Sequence, residues 1–329
     1  AGRPDTGMGQ YWVPSGMAFW DTSTGHEITR FMHATMGHLG QLFFAPDSRS
    51  FIAQHRVAQE RGGWRLYELR TGKERLKLSD ASSEYGTPTF SRDGRYFAFV
   101  DPKNAIIIFD LTQGKVAATI PQTDTNVRLA FSPNNSLLAS GGASATILLW
   151  DLKALLPPAA KEPAWTDAEK TQIWNDLALP DAAASYAAMM RLKRSPEQAI
   201  ALLTDRLQWR AASKDMSKLI DKLGSGDFKT RKAATDALEQ LGERARPSLL
   251  KALPQASSLE HKRRIEGLLG ALGKPFTTPT GLRILRAIEV LDGMRTPEAA
   301  ALLRELAAET PPDDPVAREV ARALERAGR

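Results

Sequence analysis

Histidine is the residue type in this sequence whose spacing could support chemistry, because four of the five histidines fall within about thirty residues. Imidazole nitrogens bind zinc where three or four ligands converge on one point. The surrounding pattern of short strands and turns keeps these side chains apart, since one follows a turn glycine and another falls in a predicted loop. We therefore predict that four histidines have structural roles and hold no metal: His26, His33, His38 and His55.

Other routes to catalysis lack a complete set of residues. Nucleophilic catalysis needs a hydroxyl or thiol, a base and an orienting acid, but the chain has no cysteine and no Gly-x-Ser-x-Gly segment. His261 lies in a charged segment, where a solvated helix face is expected. The glycine-rich segments 141–146 and 224–227 lack the lysine of a phosphate-binding loop, so a hairpin and a turn between helices are expected. Asp313 and Asp314 lie in a proline-rich loop, where a helix cap is the natural role. We predict a protein that is not an enzyme and uses no cofactor.

The charge distribution argues against nucleic acid as a partner. The net charge is +6, but the excess is spread over both halves of the chain, whereas phosphate binding favours a basic patch or stripe. The densest basic cluster, residues 262–264, falls in a predicted helix with a solvated face. No apolar stretch is long enough to span a bilayer. The absence of cysteine excludes disulfides and is compatible with the cytosol or an oxidising compartment.

The elements that position these residues change character along the chain. From Tyr11 to Asp151, short β-branched and aromatic runs alternate with turn residues, which is typical of an all-β region. One phrase recurs there, as FWDTSTG, LYELRTG, IFDLTQG and LLWDLK. Its aromatic residues are Trp20, Tyr67, Phe109 and Trp150, spaced by 47, 42 and 41 residues. This period is close to the roughly 40 to 45 residues of one propeller blade.

A second phrase precedes each of the last three aromatic residues. It reads as a strand, a tight turn and another strand, with Asp47, Asp93 or Asn134 at or beside the turn. Short polar side chains tolerate the backbone geometry of such turns. Because both phrases recur with a similar period and a nearly constant separation from each other, they predict a repeat fold.

Roughly the first 150 residues resemble the WD-repeat family. A Gly-His pair stands before the second unit, and Trp-Asp pairs end the first and last units, whereas Tyr-Glu and Phe-Asp end the other two. The residues that carry the resemblance are His38, Asp47, Trp20, Asp21, Tyr67, Asp93, Phe109, Asp110, Trp150 and Asp151. The resemblance implies a β-propeller whose marks are joined by a buried hydrogen-bond network. Because the marks are incomplete, we expect the blades to be held mainly by apolar packing between sheets.

The number of units is the most informative departure from a closed ring. The sequence supplies the end of one blade and three further blades, whereas a ring has typically four to eight. An open stack would leave apolar sheet faces and strand edges bare, which favours aggregation. We therefore predict that the missing blades come from an upstream polypeptide, of the same gene or a companion chain, with a seven-bladed ring favoured. The long segment 55–63 is either a contact loop or tolerated extra length.

After Leu156 the sequence becomes rich in alanine and leucine with helical spacing, which places a domain boundary between Leu156 and Pro163. Hydroxyl caps followed by glutamate or proline predict helix starts at Thr166, Ser195 and Thr296. Glycines predict helix ends at positions 224, 242, 273 and 293. About ten short helices are expected.

Part of this helical region is similar to the bacterial HEAT repeat. Residues 231–253, RKAATDALEQLGERARPSLLKAL, combine an Arg-x-x-Ala-x-x-x-Leu helix with a Leu-Gly turn and a second helix bearing paired leucines. Small Ala234 and Ala237 would let the helices approach, and the leucines would fill the groove between them. The segment 174–210 resembles the helical tail that follows WD repeats in some large bacterial proteins. The resemblance implies an α-solenoid, a fold whose extended surface binds partners.

Together these patterns predict a multidomain all-β plus all-α protein. Residues 1–156 are expected to form the C-terminal blades of a WD-repeat propeller, and residues 157–329 a HEAT-like helical domain. The favoured function is a non-catalytic protein–protein interaction scaffold, partnered by upstream blades and other proteins. The alternative is the non-catalytic C-terminal region of a larger enzyme or signalling protein whose active domain lies upstream.

Overall fold

The computed structural model describes residues 16–20, 22, 25, 27–32, 39–55, 62–81, 86–157, 162–207, 210–272, 278–310 and 314–327. The chain divides between residues 157 and 158 into two compact units. The first unit is built of strands and the second of helices. The fold is therefore mixed β and α, with the two kinds of element segregated along the chain.

The sheet unit is a series of antiparallel meanders. Its described strands are β1 (Gly16–Trp20), β2 (Glu27–Met32), β3 (Leu39–Phe44), β4 (Ser50–His55), β5 (Trp64–Glu68), β6 (Glu74–Lys77), β7 (Thr89–Phe90), β8 (Tyr96–Val100), β9 (Ile106–Asp110), β10 (Lys115–Ile120), β11 (Arg128–Phe131), β12 (Leu137–Gly141) and β13 (Ile147–Asp151). They form four small sheets in chain order, which are β1–β2, β3–β6, β7–β10 and β11–β13. We call these the first to fourth sheets.

Recurring backbone geometry makes the turns of successive sheets alike. The residue after the predicted turn acid or amide is left-handed in three sheets, at Ser48 (φ 55°), Gly94 (φ 72°) and Asn135 (φ 58°). The glycine that closes the repeated phrase is also left-handed, at Gly72 (φ 67°) and Gly114 (φ 64°). Glycine has no Cβ to disfavour this region, so the glycine at the end of the repeated phrase indicates a turn at that position.

Consecutive sheets pack face to face. The ring of Phe19 in the first sheet lies 4.9 Å from Phe51 in the second, measured between centroids. Trp64 of the second sheet meets Phe97 of the third edge to face at 5.6 Å. A single buried cluster then joins the third and fourth sheets, with Ile106, Ile108 and Ala98 on one side and Leu129 and Leu138 on the other. The core of this unit is the set of layers between the sheets.

Polar contacts keep successive sheets in a constant relation. The backbone amide of Arg92 in the third sheet's first turn donates to the Asn135 side-chain oxygen in the fourth sheet's equivalent turn, at 2.8 Å. A parallel bridge joins Thr87, just before β7, to Arg128 of β11. The first strands of these two sheets therefore run side by side in the same direction.

The helical unit follows the short helix α1 (Leu152–Leu155), which closes the sheet unit. Its described helices are α2 (Asp167–Asp176), α3 (Ala182–Arg194), α4 (Pro196–Arg206), α5 (Arg210–Lys222), α6 (Phe228–Leu241), α7 (Arg246–Ala252), α8 (Leu259–Ala271), α9 (Pro279–Met294), α10 (Pro297–Glu309) and α11 (Pro315–Ala327). Within the described residues, none of these helices has the length and apolar content needed to cross a membrane.

Most of the predicted helix signals correspond to real caps. Thr166 forms the full capping box with Glu169, and Thr296 accepts from the Ala299 amide at the start of α10. Ser195 precedes the first-turn proline of α4 but makes no side-chain cap bond. Helix α9 ends at Met294, one residue after the predicted stop at Gly293, and Arg295 takes the left-handed position (φ 51°). The helix ends there because the Thr296 cap of α10 follows directly.

Two groups of helices share the helical unit. Helices α5 to α8 surround one buried cluster that includes Ala234 and Leu238 of α6 and Leu249 of α7. Helix α9 forms the centre of the other group, since every residue from 284 to 292 is buried and the helix packs on α3, α10 and α11. The fully buried Arg286 donates through Nη1 to the Leu177 and Leu179 carbonyls, at 2.9 and 2.7 Å. Helices distant in sequence therefore pack together, beyond the neighbour-to-neighbour contacts of a simple solenoid.

Candidate interaction surface

The turn acids and amide predicted from the sequence organise the first turn of each sheet. One Asp47 oxygen accepts from the amides of Arg49 and Ser50, at 2.8 and 2.9 Å. Asp93 accepts from the Ser91 hydroxyl at 2.6 Å and from the Arg95 amide at 3.1 Å. Asn134 does the same in the fourth sheet, accepting from the hydroxyls of two serines. These side chains are turn acceptors, and the residue after each takes the left-handed backbone position.

The acid that ends the third strand caps the turn that follows. The Glu68 carboxylate accepts from the Thr71 hydroxyl at 2.5 Å, and Asp110 accepts from the Thr112 hydroxyl at 2.6 Å. Asp151 accepts from the Lys153 amide at 2.9 Å and so caps helix α1. The repeated phrase therefore places a carboxylate where a turn or helix needs an acceptor.

A buried polar network lies within the second sheet, in addition to the apolar packing between sheets that the sequence predicts. Arg75 of β6 lies 2.9 Å from Glu68 of β5, and their side chains are 1% and 2% exposed. The same guanidinium donates to the Ser50 hydroxyl at 2.8 Å, which in turn donates to Asp47 at 3.0 Å. Three strands and a turn are thus joined by one buried ion pair and two hydrogen bonds. In the third sheet, a related pair forms between Arg95 and the buried Asp110, at 2.9 Å.

The aromatic marks are packing residues, with one exception. Tyr67 stacks on Phe51 at 5.3 Å, and burial together with the nearby Glu74 carboxylate raises the pKa of its phenol to about 12. Phe109 is buried, and the half-buried Trp150 donates from its indole nitrogen to the Ser140 hydroxyl at 2.9 Å. Trp20, the equivalent residue of the first sheet, is 55% exposed.

The structure distributes the predicted marks one set per sheet and does not bring them together in one pocket. His38 and Asp21 lie outside the described residues, as do His26 and His33, and most of the segment 55–63. His55 ends strand β4 rather than lying in a loop. Within the described ranges, no group of three potential metal ligands comes together.

His261 is buried, which corrects the expectation of a solvated histidine. Its side chain is 5% exposed, and Nε2 lies 2.9 Å from the Ile220 carbonyl of α5. Nδ1 lies 3.0 Å from the Ser257 hydroxyl. The imidazole donates from Nε2 because a carbonyl can only accept, and Nδ1 is left to accept from Ser257. His261 thus ties α8 to the C-terminal end of α5, together with Arg264, which donates to the Leu223 carbonyl at 3.0 Å.

Equivalent positions of the repeated sheets differ in exposure, and this difference defines the candidate surface. We call the face that each sheet turns toward the next sheet its front face. On the front face, Trp64 and Leu66 of the second sheet are each 1% exposed, and Ile106 and Ile108 of the third are each 0% exposed. The equivalent residues of the fourth sheet are Ile147 and Leu149, which are 74% and 65% exposed. The same apolar face is therefore covered twice and bare once.

The bare front face continues to the edge of the fourth sheet. Strand β13 is hydrogen-bonded to β12 on one side, and in the described residues no strand pairs with its other side. Leu148, on the opposite face of β13, is 44% exposed. An apolar strand with a free edge is a template for pairing with another chain. Strand β13 therefore offers exposed apolar side chains and, at its free edge, backbone groups that could hydrogen-bond to another strand.

A shallow cleft marks one end of this front face. It has a volume of about 760 Å³ and is lined by Asn126, Arg128, Gly141, Gly142, Ala143, Ala145, Thr146 and Ile147. The turn beside it is held by Asp124, which accepts from the Ser144 hydroxyl at 2.6 Å. That hydrogen bond lowers the pKa of the Asp124 carboxyl. A side chain at Gly142 would lie 2.5 Å from the Asp124 carboxylate, so this close approach requires glycine.

Neither the family models nor the curated proteins contain a match to this chain. The assignment of a function therefore depends on the geometry of these residues.

Proposed function

We propose that this chain is a non-catalytic interaction scaffold. In this proposal the sheet unit is an arc of a WD-repeat-like β-propeller that is completed by further polypeptide. Helices α5 to α8 act as a HEAT-like element that offers additional binding surface. The observation that carries the proposal is the contrast in exposure between the front face of the fourth sheet and the equivalent faces of the second and third sheets.

The regular stacking of the sheets supports the propeller part. Each interface joins the front face of one sheet to the opposite face of the next, as Trp64 with Phe97 illustrates. The Thr87–Arg128 bridge adds a parallel relation between the first strands of neighbouring sheets. Such an arrangement extends by adding sheets of the same kind, because every front face has the same apolar character.

The close packing of small and large residues supports the helical part. Ala234 is 1% exposed and lies in one cluster with Leu238 and Leu249. An alanine at a helix contact lets two helices approach, and the leucines fill the remaining space. A stack of helix pairs presents a broad surface in proportion to its length.

Sedimentation velocity of the purified chain at increasing concentration tests the proposal. We expect concentration-dependent association, because two largely exposed aliphatic side chains, Ile147 and Leu149, and a strand edge are available for pairing. The double variant Ile147→Lys/Leu149→Lys should reduce it, whereas Leu259→Lys, at a residue 66% exposed in the helical unit, should not. A folded chain that stays monomeric at all concentrations would contradict the proposal.

A further inference from the structure

We infer that the helical unit carries a docking surface for anionic lipid membranes, at the end where helices α6 and α8 begin. We call this surface the basic end, and it consists of residues 221–232 and 257–264. The partner is the headgroup layer and upper acyl region of a bilayer that contains anionic lipid. The surface uses no residue of the sheet unit, so the inference does not rest on the proposed scaffold function.

Short contacts hold the two stretches of the basic end together. The Arg264 guanidinium of α8 donates to the Leu223 carbonyl just after α5, at 3.0 Å. A Cβ at Gly224, in the turn that leads to α6, would lie 3.1 Å from the Ser257 hydroxyl just before α8. The turns that precede α6 and α8 therefore touch, and the two helices begin at the same end of this helix group.

The first residue of each of these helices is a large apolar side chain that lies in solvent. Phe228 begins α6 and is 70% exposed, and Leu259 begins α8 and is 66% exposed. Among the described residues of the helical unit, these are the two most exposed large apolar side chains. A Cβ at Gly226 would meet no atom within 4 Å, so the turn before Phe228 is open on its outer side. Side chains that project in this way suit a soft apolar layer better than a preformed protein groove.

Positive charge surrounds the two apolar side chains. The excess charge is spread along the sequence, but folding joins two basic stretches, and the basic end has seven basic and three acidic residues, a net charge of +4. Two of the acids are engaged within the surface, since Asp227 accepts from the Thr230 amide at 2.8 Å and Glu260 lies 2.6 Å from Arg264. Five cationic side chains are exposed to solvent: Lys222, Lys229, Lys232, Lys262 and Arg263.

The combination of apolar and basic side chains favours lipid over other anionic partners. Lysine and arginine are attracted to an anionic membrane surface, and apolar side chains among them enter the boundary between headgroups and acyl chains. The Arg231 guanidinium lies 5.8 Å from the Phe228 ring, so a cation and an apolar group are presented side by side. A nucleic acid would bind the cations and could stack a base on Phe228, but it would leave the aliphatic Leu259 in water.

Flotation of the full chain with lipid vesicles tests the inference, because vesicle-bound chain floats and self-associated chain does not. We expect binding to vesicles of equal parts phosphatidylcholine and phosphatidylserine, and little binding to phosphatidylcholine alone. Binding should fall in about 1 M salt, where the screening length is only about 3 Å. Phe228→Ala/Leu259→Ala should weaken binding by about tenfold or more, and Lys229→Glu/Lys262→Glu by about as much.

Two matched variants of the sheet unit are the controls. Ile147→Ala/Leu149→Ala removes exposed aliphatic side chains, and Lys103→Glu/Lys115→Glu makes the same change of net charge at exposed positions. Both should bind vesicles like the native chain. Equal losses in these controls would overturn the inference, because total apolar surface or net charge would then account for the binding.

The inference would also be overturned by equal binding to vesicles of phosphatidylcholine alone, or by undiminished binding of Phe228→Ala/Leu259→Ala. Absence of vesicle binding would overturn it as well. If a polyglutamate peptide then bound to the native chain and not to Lys229→Glu/Lys262→Glu, the surface would belong to an acidic protein segment. The sedimentation result for the front face of the fourth sheet is independent of each of these outcomes.

Discussion

Replacement of Arg75 by methionine is expected to destabilise the sheet unit strongly. The Arg75 guanidinium lies 2.9 Å from the Glu68 carboxylate, and both side chains are at most 2% exposed. Methionine keeps part of the aliphatic stem but removes this cation from a buried carboxylate. It also removes the donor that lies 2.8 Å from the Ser50 hydroxyl. Breaking a buried ion pair from one side costs about 3–5 kcal/mol.

The double variant Arg75→Met/Glu68→Leu tests whether this cost comes from the uncompensated charge. Two apolar side chains of similar volume leave no buried carboxylate, so the double variant should be more stable than Arg75→Met by about 2 kcal/mol or more. Arg30→Met is the control, because the Arg30–Glu27 pair is 59% and 37% exposed. Exposed pairs contribute little, and no resolvable change is expected there.

Urea-dependent hydrogen exchange, read on peptides that cover β4 to β6, measures the free energy of unfolding of this sheet separately from the helical unit. An Arg75→Met variant as stable as Arg30→Met would contradict the predicted cost of the uncompensated carboxylate. The same holds if the destabilisation by Arg75→Met and that by Glu68→Leu simply add in the double variant, because the two charges would then not be coupled.

Three further outcomes follow from burial. Folding stability should fall as pH rises from 10 toward 12, because an unfolded Tyr67 phenol ionises near 10 while the folded one, with a pKa of about 12, stays neutral. Burial also raises the pKa of Tyr96, so Tyr67→Phe should reduce the late phenolate absorbance step in an alkaline titration. His261→Ala should destabilise the helical unit by about 1–3 kcal/mol through the lost partner of a buried carbonyl, whereas Leu259→Ala should have little effect in urea unfolding. Leu66→Ala should cost about 2–5 kcal/mol and Leu149→Ala less than about 0.5 kcal/mol, and equal losses by hydrogen exchange would mean that the front face of the fourth sheet is already covered.

Local features could be predicted from the sequence because their causes lie within a few residues. The repeated phrase ends in Gly72 and Gly114, and both are left-handed, since the turn needs a residue without a Cβ. The Thr166–Glu169 capping box is likewise a contact between residues three apart. The order of strands and helices follows from signals of this kind.

The sites that were missed depend on pairing across long stretches of chain. Arg75 looks like a solvated residue on an alternating strand, and its partner Ser50 lies 25 residues earlier. His261 sits among charged residues, yet its ring caps a carbonyl 41 residues away. Both side chains are buried by elements whose position a single segment does not encode. A charged residue in a short strand that faces an acid in the neighbouring strand is the signal that could have found Arg75.

In strand β13 the local sequence predicts burial, whereas the observed exposure depends on which other elements pack against the strand. A continuous apolar run in a strand is typical of burial on both faces, and the run Ile106–Phe109 of β9 is buried on both. The equivalent run Ile147–Trp150 has the same character, but Ile147 and Leu149 are 74% and 65% exposed. Covering each aliphatic side chain would contribute about 1.5–3 kcal/mol at most. The composition of β13 is therefore better suited to a covered strand, such as β9, than to an exposed one.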